Sequence, residues 1–239
     1  EEYCKSIIID YSYKYFYEDG YGKEYRIYNL KNDIDEEQRN LYLVGCLLSF
    51  YQQIKLYSVY GQDFAAYEIE KPLLVFVGNR VTATTTDKEL TDVEEVLSFF
   101  DIFVKEKEKT ITRINQVLTE DTGLVDGQGN ELFAREFDPI KAIFGQSCTP
   151  DRIYADVLKL VFNVESLSDA PRVHVENLTQ VPGEIALKVG EDGKIFAVVS
   201  IGDASKLVKQ CSEKGLVTDN QDFIMDSLFG NINASRNSA

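Results

Sequence analysis

The apolar run at residues 73–77 limits the fold more than any other part of this 239-residue chain. Its sequence, Leu-Leu-Val-Phe-Val, is preceded by Pro72, which has no backbone N–H to donate, and followed by Gly78. A short apolar run without alternation is typical of a strand that is buried on both faces, as in a parallel sheet covered by helices. The run therefore predicts an α/β fold.

A polar loop follows this predicted strand. In parallel sheets that are covered by helices, ligands bind just past the carboxyl ends of the strands. The loop offers backbone amides, an amide side chain, a guanidinium and a hydroxyl, a mixture suited to contacts with phosphate or sugar. An ordinary surface loop is the alternative interpretation. The candidate contact residues are Gly78, Asn79, Arg80 and Thr82.

A second candidate edge lies at residues 202–206, where a predicted strand runs into a predicted helix. The N-terminus of a helix can receive an anion, because its first backbone N–H groups have no partner within the helix. Gly202, Ser205 and Lys206 are the candidate anion contacts. Capping of the helix by Asp203 is the alternative explanation of this sequence.

The composition restricts the classes of ligand. A net charge of −15 opposes the close approach of a polyanion, so we expect this chain taken alone to bind DNA weakly or not at all. Four scattered cysteines and the single His174 indicate neither a zinc site nor a disulfide framework, so we expect reduced thiols and no metal. The sequence shows neither a signal peptide nor an apolar run of about 20 residues, so we expect a cytoplasmic protein without a membrane anchor.

Helical periodicity dominates the first two thirds of the chain. The longest predicted helix begins at Glu36, is capped by Asp33 or Asp35, and carries Gly45 where another element can approach closely. Tyrosines near the N-terminus are spaced as in an amphipathic helix, which predicts that they belong to the core. The predicted helices cover the first segment up to Gly20, residues 36 to about 57, residues 91 to 118 with a Thr91–Glu94 capping box, and residues 151–163.

From Arg172 the hydrophobic period changes to two, which predicts an antiparallel β-meander with a hairpin turn at Asp192-Gly193. Residues 195–201 are the most apolar of the three strands and are therefore predicted to lie inside the sheet. A helix then continues to Gly215. These boundaries divide the chain into a mostly helical lead-in at 1–68, the predicted strand and its covering helices at 69–165, and the meander with its helix at 166–239.

Two stretches resemble nucleotide-binding motifs only superficially. Residues 35–38, Asp-Glu-Glu-Gln, do not follow a buried strand and are better explained as a helix cap. Residues 20–23, Gly-Tyr-Gly-Lys, have the wrong glycine spacing for a phosphate loop, and Glu24 occupies the position of the required hydroxyl. His174 is interpreted as an ordinary strand residue, and we identify no catalytic set.

Six stretches, in this order, resemble the helicase-like restriction subunits of type III restriction-modification systems, which are DEAD/DEAH-type motors of helicase superfamily two. These stretches are characteristic of the family rather than universal motor motifs, and together they extend over most of the chain. In that family, residues 76–78 and the following loop look like motif IV, the opening strand of the second RecA-like domain. The stretches are residues 47–53, 69–78, 156–163, 174–178, 183–187 and 201–207.

The resemblance implies an α/β fold, namely a partial RecA-like second motor domain with a helical N-terminal segment and an inserted antiparallel β-meander. It implies a parent protein that uses ATP and Mg²⁺, acts on double-stranded DNA and binds a modification subunit. The phosphate loop, the acidic box and the arginine-finger motif of such motors do not occur in this sequence. Because the chain begins with Glu1 and contains one methionine, Met225, we expect it to be an excised piece that binds no cofactor by itself.

Two other functions are compatible with the same residues. The chain could be a non-catalytic interaction module, in which the meander and the aromatic N-terminus bind other subunits of a restriction or defence complex. It could also be an unrelated α/β enzyme that binds a small molecule, in which case a closed pocket is expected beside Gly78 and Gly202.

Overall fold

The computed structural model describes residues 11–21, 26–31, 33–77, 92–166, 171–178, 183–201 and 204–221. Over these residues the chain is a mixed α/β protein with seven α-helices and one four-stranded sheet. The elements in chain order are α1 (Tyr13–Glu18), α2 (Glu36–Phe64), α3 (Asp92–Lys105), α4 (Lys107–Leu118), α5 (Asp138–Phe144), α6 (Pro150–Leu160), β1 (Val173–Leu178), β2 (Glu184–Val189), β3 (Ile195–Ser200), α7 (Ala204–Glu213) and β4 (Val217–Gln221).

Helix α2 confirms the predicted long helix and its cap. The Asp35 carboxylate accepts a hydrogen bond from the backbone N–H of Gln38 at 2.8 Å, and the Gln38 side chain accepts one from the backbone N–H of Asp35 at 3.3 Å. This capping box satisfies two N–H groups that the helix cannot pair internally. Residues 35–38 therefore form the cap and first turn of a helix, as predicted, and α2 continues seven residues beyond the predicted end.

Gly45 is the point of closest approach on α2. A Cβ at this position would overlap the aromatic ring of Phe133, which is fully buried. The prediction that Gly45 permits close packing is confirmed. The surrounding core is one hydrophobic cluster that extends from Leu41 on α2 to Leu216 before β4.

The predicted single helix over residues 91–118 is wrong, because the structure divides it into α3 and α4. The break lies at Glu106, whose φ of −98° and ψ of 56° are not helical. The Thr110 side chain accordingly donates a hydrogen bond to the Phe103 carbonyl at 3.1 Å, across the break. The apolar stripe continues through both helices, so its periodicity did not reveal the interruption. The predicted cap at Thr91 lies outside the described residues.

The sheet confirms the meander and places its strands in the order β3-β2-β1-β4. Strands β1 and β2 pair antiparallel, as do β2 and β3, and the Asp192-Gly193 turn connects the last two. The prediction that residues 195–201 lie inside the sheet is wrong, since β3 is at the edge of this sheet and β2 is the most buried strand. The apolar side chains of β3 are instead half-buried, and the ring of Phe196 packs against those of Phe100 and Phe162.

Helix α7 ends as predicted, with Gly215 in the left-handed region at a φ of +80°. It connects β3 to β4, which pairs in parallel with β1 in a register that places Val217 beside His174. Strand β4 has a polar sequence and was not predicted. Its position makes the sheet mixed rather than a pure meander.

The apolar run 73–77 does not form the predicted doubly buried strand. It belongs to none of the strands of the described sheet, and Leu73, Val75 and Val77 are 60%, 67% and 90% exposed. Among the described residues the run has two contacts: Leu74 packs against the core, and the Phe76 ring, although that residue is 50% exposed, lies 6.0 Å from the ring of Phe100.

The aromatic residues near the N-terminus also depart from expectation. Helix α1 buries none of its residues, and Tyr11, Tyr15 and Phe16 are exposed, so within residues 11–21 the predicted core role is wrong. Their rings contact one another instead, for example Tyr11 with Phe16 at 6.2 Å. Among the helices of the described ranges, none has the length and apolar character needed to cross a bilayer.

Candidate functional site

The two predicted ligand-binding edges are only partly described. Gly78, Asn79, Arg80 and Thr82 lie outside the described residues, as does Gly202. Ser205 and Lys206 are described, and both are exposed on the first turn of α7. The structure therefore describes two of the three candidate residues of the second predicted edge, Ser205 and Lys206, and none of the candidate residues of the first.

The surroundings of Ser205 and Lys206 follow from the strand directions. Because β1 and β3 run parallel to each other and β4 pairs in parallel with β1, all three strands end at the edge of the sheet where α7 begins. Gly183, at the start of β2, joins this edge by accepting a hydrogen bond at its carbonyl from the Ile201 N–H at 2.7 Å. A Cβ on Gly183 would lie 2.6 Å from the Ile201 carbonyl oxygen, so this contact requires glycine.

One face of the sheet carries charged groups that are shielded from solvent. Glu176 on β1 is fully buried and Lys188 on β2 is 4% exposed, with the Lys188 Nζ atom 3.5 Å from Glu176 Oε1. Alternation along the strands places His174 and Glu184 on this same face. The sequence alternation of β1 and β2 was the signal for this face, but the pairing of Glu176 with Lys188 depends on the register between the strands.

The Glu176 carboxylate is incompletely satisfied. Neither of its oxygen atoms accepts a hydrogen bond, so the ion pair with Lys188 is the contact that compensates its charge among the described residues. A carboxylate removed from water without hydrogen bonds is costly, and loss of the cation would leave it without any compensation. The geometry is that of an ion pair on which the sheet depends.

A second set of ion pairs fastens the sheet to α3. The buried Asp101 carboxylate accepts hydrogen bonds from the Arg172 side chain at 2.9 Å and from the Val173 backbone N–H at 2.9 Å. Arg172 also donates to the Gly215 carbonyl at 2.7 Å, next to the start of β4. The Lys214 Nζ atom lies 3.4 Å from the carboxylate of Glu94, again on α3. Helix α3, which follows the predicted motif IV loop in sequence, is thus joined to β1 and to the turn before β4.

The helical half contains a polar cluster between α2 and α6. The Tyr51 hydroxyl donates a hydrogen bond to Asp156 at 2.6 Å, and the Lys55 Nζ atom lies 2.8 Å from the same carboxylate oxygen. Burial, and then this hydrogen bond, raises the pKa of Tyr51 well above its ordinary value, so the hydroxyl remains protonated. Lys55 and Arg152 also lie over the ring of Phe144, at 4.9 and 5.0 Å from its centroid.

Residues 47–53 have mainly internal partners. The Ser49 hydroxyl donates to the Glu136 carboxylate at 3.0 Å, and the Gln52 side chain donates to the Glu136 carbonyl at 2.9 Å. Gln52 also accepts a hydrogen bond from the Ile140 N–H at 3.3 Å. The polar residues in this part of α2 therefore position the segment before and at the start of α5 rather than an exposed site.

Thiol and metal chemistry receives no support from the described residues. Cys46, Cys148 and Cys211 are free, and burial raises the pKa of Cys46 to about 11 and that of Cys211 to about 12, so both thiols are protonated near neutral pH. Within the described ranges, His, Cys, Asp and Glu side chains form no group of three or more that could hold a metal ion.

A shallow cleft of about 220 Å³ lies between α4 and α6, and neither Ser205 nor Lys206 lines it. Lys107, Asp151, Tyr154 and Glu165 contribute to its lining. Its volume is below the roughly 300–1,000 Å³ of typical small-molecule sites. The Tyr154 hydroxyl is already used, since it donates to the Val104 carbonyl at 3.1 Å. The cleft therefore does not favour the small-molecule enzyme among the functions considered.

Comparison of the chain with protein-family models, with curated proteins and with solved structures found no match. The functional assignment therefore depends on the six stretches of family resemblance and on how the structure arranges them.

Proposed function

We propose that the chain is part of the motor subunit of a type III restriction enzyme, an ATP-dependent DNA helicase or translocase. The finer fold assignment that goes with this proposal is a partial RecA-like second motor domain with an inserted meander. The parent protein would use ATP and Mg²⁺ and act on double-stranded DNA together with a modification subunit.

The observation that supports this proposal is that five of the six resembling stretches fall into two groups whose members contact one another. Residues 47–53 and 156–163 meet through the 2.6 Å hydrogen bond between Tyr51 and Asp156. Residues 174–178 and 183–187 belong to the paired strands β1 and β2, and α7, which carries residues 204–207, packs against β1. Tyr51 and Asp156 are 105 positions apart, so the first group joins distant parts of the chain, whereas the second group is local and residues 69–78 belong to neither group.

The chain by itself is proposed to be inactive. Phosphoryl transfer in these motors needs a phosphate-loop lysine, carboxylates that hold Mg²⁺ and an arginine finger, and the corresponding motifs are not in this sequence. The purified chain should therefore hydrolyse ATP no faster than buffer, with or without DNA. ATP turnover by the purified chain that survives repeated purification would contradict this assignment.

The decisive experiment extends the chain with the coding sequence on both sides of the gene segment and measures DNA-dependent ATP hydrolysis. We expect activity in the extended protein, and we expect Arg80→Ala to reduce DNA affinity or ATP coupling, because Arg80 follows the predicted motif IV strand. If Arg80 contacts phosphate, the substitution should also reduce the salt dependence of DNA binding by about one unit of slope.

Arg135→Ala provides the matched control, because its side chain is 85% exposed and pairs only locally with Asp138. This variant should retain both ATP hydrolysis and the salt slope. Equal effects of the two substitutions would assign the loss to net charge rather than to a contact made by Arg80. An extended protein without DNA-dependent ATP hydrolysis would refute the motor assignment.

A second candidate function, a non-catalytic interaction module, is favoured by the exposed aromatic residues at 11–21. Tyr13, Phe16 and Tyr17 form ring contacts on a helix that buries no residue, although aromatic side chains normally dominate buried cores and interfaces. This function predicts a stoichiometric complex with the modification subunit that is lost on Phe16→Ser and retained on Val59→Ser, a substitution of an exposed apolar residue of α2. Retention in both variants would exclude the aromatic segment as the contact.

A further inference from the structure

Helix α7 and strand β4 form one contiguous unit at the edge of the sheet. Strand β4 pairs in parallel with β1, which is its neighbour in the described sheet. Helix α7 packs against both strands, and a short turn that contains Lys214 and Gly215 connects it to β4. Residues 204–221 are called the α7–β4 unit below. Contiguous elements of this kind are the units that open locally in native proteins.

The apolar packing of the α7–β4 unit is modest. Among the described residues, the fully buried aromatic side chains all lie on other parts of the fold, for example Phe103 and Tyr154. Aromatic side chains contribute most to a core, because each removes a large area from water. The unit is therefore held less tightly by apolar burial than the helical half is. Its buried apolar residues are Ala204, Leu207, Val208, Cys211 and Leu216.

A clamp of charged groups joins the α7–β4 unit to α3. The Arg172 side chain donates to the Gly215 carbonyl at 2.7 Å and to the Asp101 carboxylate of α3 at 2.9 Å. The Lys214 Nζ atom lies 3.4 Å from the buried Glu94 carboxylate, which is also on α3. The two contacts hold successive residues of the turn between α7 and β4. They therefore act where the unit would separate from α3.

The clamp can open without leaving a charge unpaired in the interior. On opening, Arg172 stays with Asp101 and loses the Gly215 carbonyl, whereas Lys214 leaves Glu94 and both of these charges meet water. A hydrated carboxylate needs no cation, but one that stays buried without its cation is costly. We propose that the α7–β4 unit opens from the rest of the fold as one body, without global unfolding, and that the clamp to α3 sets how often it opens.

Opening changes the second candidate edge and exposes a thiol. Ser205 and Lys206 are on the first turn of α7, so they move with the unit while α3 remains in the helical half. Cys211 is on the same helix and is fully buried in the closed fold. Its thiol therefore reacts only when the unit opens or the whole chain unfolds, and its reactivity reports the opening.

Cysteine labelling of the full 239-residue chain measures the opening. The folded chain is incubated with excess iodoacetamide at urea concentrations below the unfolding transition, and peptide mass spectrometry gives the labelling rate of Cys211. We expect this rate to exceed the rate that global unfolding allows by at least about tenfold. We also expect it to depend less steeply on urea than global unfolding does, because the slope scales with the surface that becomes exposed.

Lys214→Met tests the clamp. It leaves the Glu94 carboxylate buried without this cation in the closed fold, so labelling of Cys211 should accelerate at least about tenfold. Lys214→Arg keeps the charge and should preserve the slow labelling. Lys141→Met is the matched control, because the Lys141 side chain is 35% exposed against 36% for Lys214 and its Nζ atom lies 3.5 Å from Glu120 in the helical half. This control should leave the labelling of Cys211 unchanged.

Ile153→Val separates local opening from global unfolding. Ile153 is fully buried on α6, so its shortening lowers the free energy of unfolding of the whole chain. If the α7–β4 unit opens by itself, the labelling rate of Cys211 in this variant stays unchanged, because the helical half is intact in the open state.

Three results would overturn the proposal. The first is a labelling rate of Cys211 that has the urea dependence of global unfolding. The second is labelling that Ile153→Val accelerates in proportion to the stability it removes. The third is equal labelling in the Lys214→Met and Lys141→Met chains. None of these measurements involves ATP or DNA, so failure here is distinguishable from failure of the proposed motor function.

Discussion

Two apolar segments of similar composition have different structures in this chain. Residues 195–201, Ile-Phe-Ala-Val-Val-Ser-Ile, contain β3 and pair with β2. The apolar run 73–77 is even more continuously apolar, yet it pairs with none of the described strands and exposes most of its side chains. Hydrophobicity alone therefore did not decide which segment became a strand of the sheet.

The difference lies in what each segment has nearby. Strand β3 is joined to β2 by the short turn at 190–193, so its partner is available at a small cost in loop closure. Phe196 then packs against Phe162, with ring centroids 4.8 Å apart, and against Phe100 at 5.6 Å. The apolar run 73–77 instead follows the 29-residue helix α2 and shares only the Phe100 contact. Strand β3 therefore has a partner close in sequence and an aromatic cover. The apolar run 73–77, called the open run below, has neither among the described residues.

The largest expected effect comes from removing the aromatic cover of β3. Phe162 is fully buried and contacts Phe103 at 5.3 Å as well as Phe196, so Phe162→Ala should lower the free energy of unfolding by about 4 kcal/mol. Phe76→Ala removes a ring of the same size from the open run and should cost less than about 1 kcal/mol. Urea unfolding followed by circular dichroism measures both. Similar losses in the two variants would mean that the open run is packed as tightly as β3.

A second comparison concerns charge in the two regions. Lys188 compensates the buried Glu176 inside the sheet, so Lys188→Met should lower the free energy of unfolding by about 3 kcal/mol, because it leaves a buried carboxylate without its cation. Lys71→Met, beside the open run, should change it by less than about 0.5 kcal/mol, because Lys71 is exposed.

The double substitution Lys188→Met with Glu176→Leu separates charge from packing. We expect it to recover most of the lost stability, since a buried ion pair can often be replaced by apolar residues of similar size. If the double variant is as unstable as Lys188→Met alone, the loss of stability comes from the changed shape of the side chain at position 188 rather than from the unpaired Glu176 carboxylate.

Sequence reasoning succeeded where a local signal determines structure. The cap at Asp35, the close approach at Gly45 and the turn at Asp192-Gly193 each follow from the chemistry of one or two residues. It failed where a distant part of the chain decides. The break at Glu106 leaves the apolar stripe intact, and the polar strand β4 exists because α7 returns the chain to the side of β1.

The candidate site was predictable only in part for the same reason. Alternation along β1 and β2 indicates that His174, Glu176 and Lys188 share a face, but the 3.5 Å approach of Lys188 to Glu176 depends on strand register. The contact of Asp101 with Arg172 joins residues 71 positions apart and has no local signature. Ser205 and Lys206 are on the first turn of the predicted helix and are exposed, which is necessary for an anion contact but does not test one.

The smallest expected effect compares one substitution in the two apolar segments directly. Val199 packs at the edge of the core and faces Ile185 across the strand pair, so Val199→Thr should cost about 1 kcal/mol, because the new hydroxyl is partly buried. Val77→Thr introduces the same hydroxyl where the side chain is 90% exposed, and it should change stability by less than about 0.5 kcal/mol. Both variants are measured by urea unfolding at the same protein concentration. If Val77→Thr costs as much as Val199→Thr, the apolar run 73–77 is packed as tightly as β3, and the difference between the two segments is not one of burial.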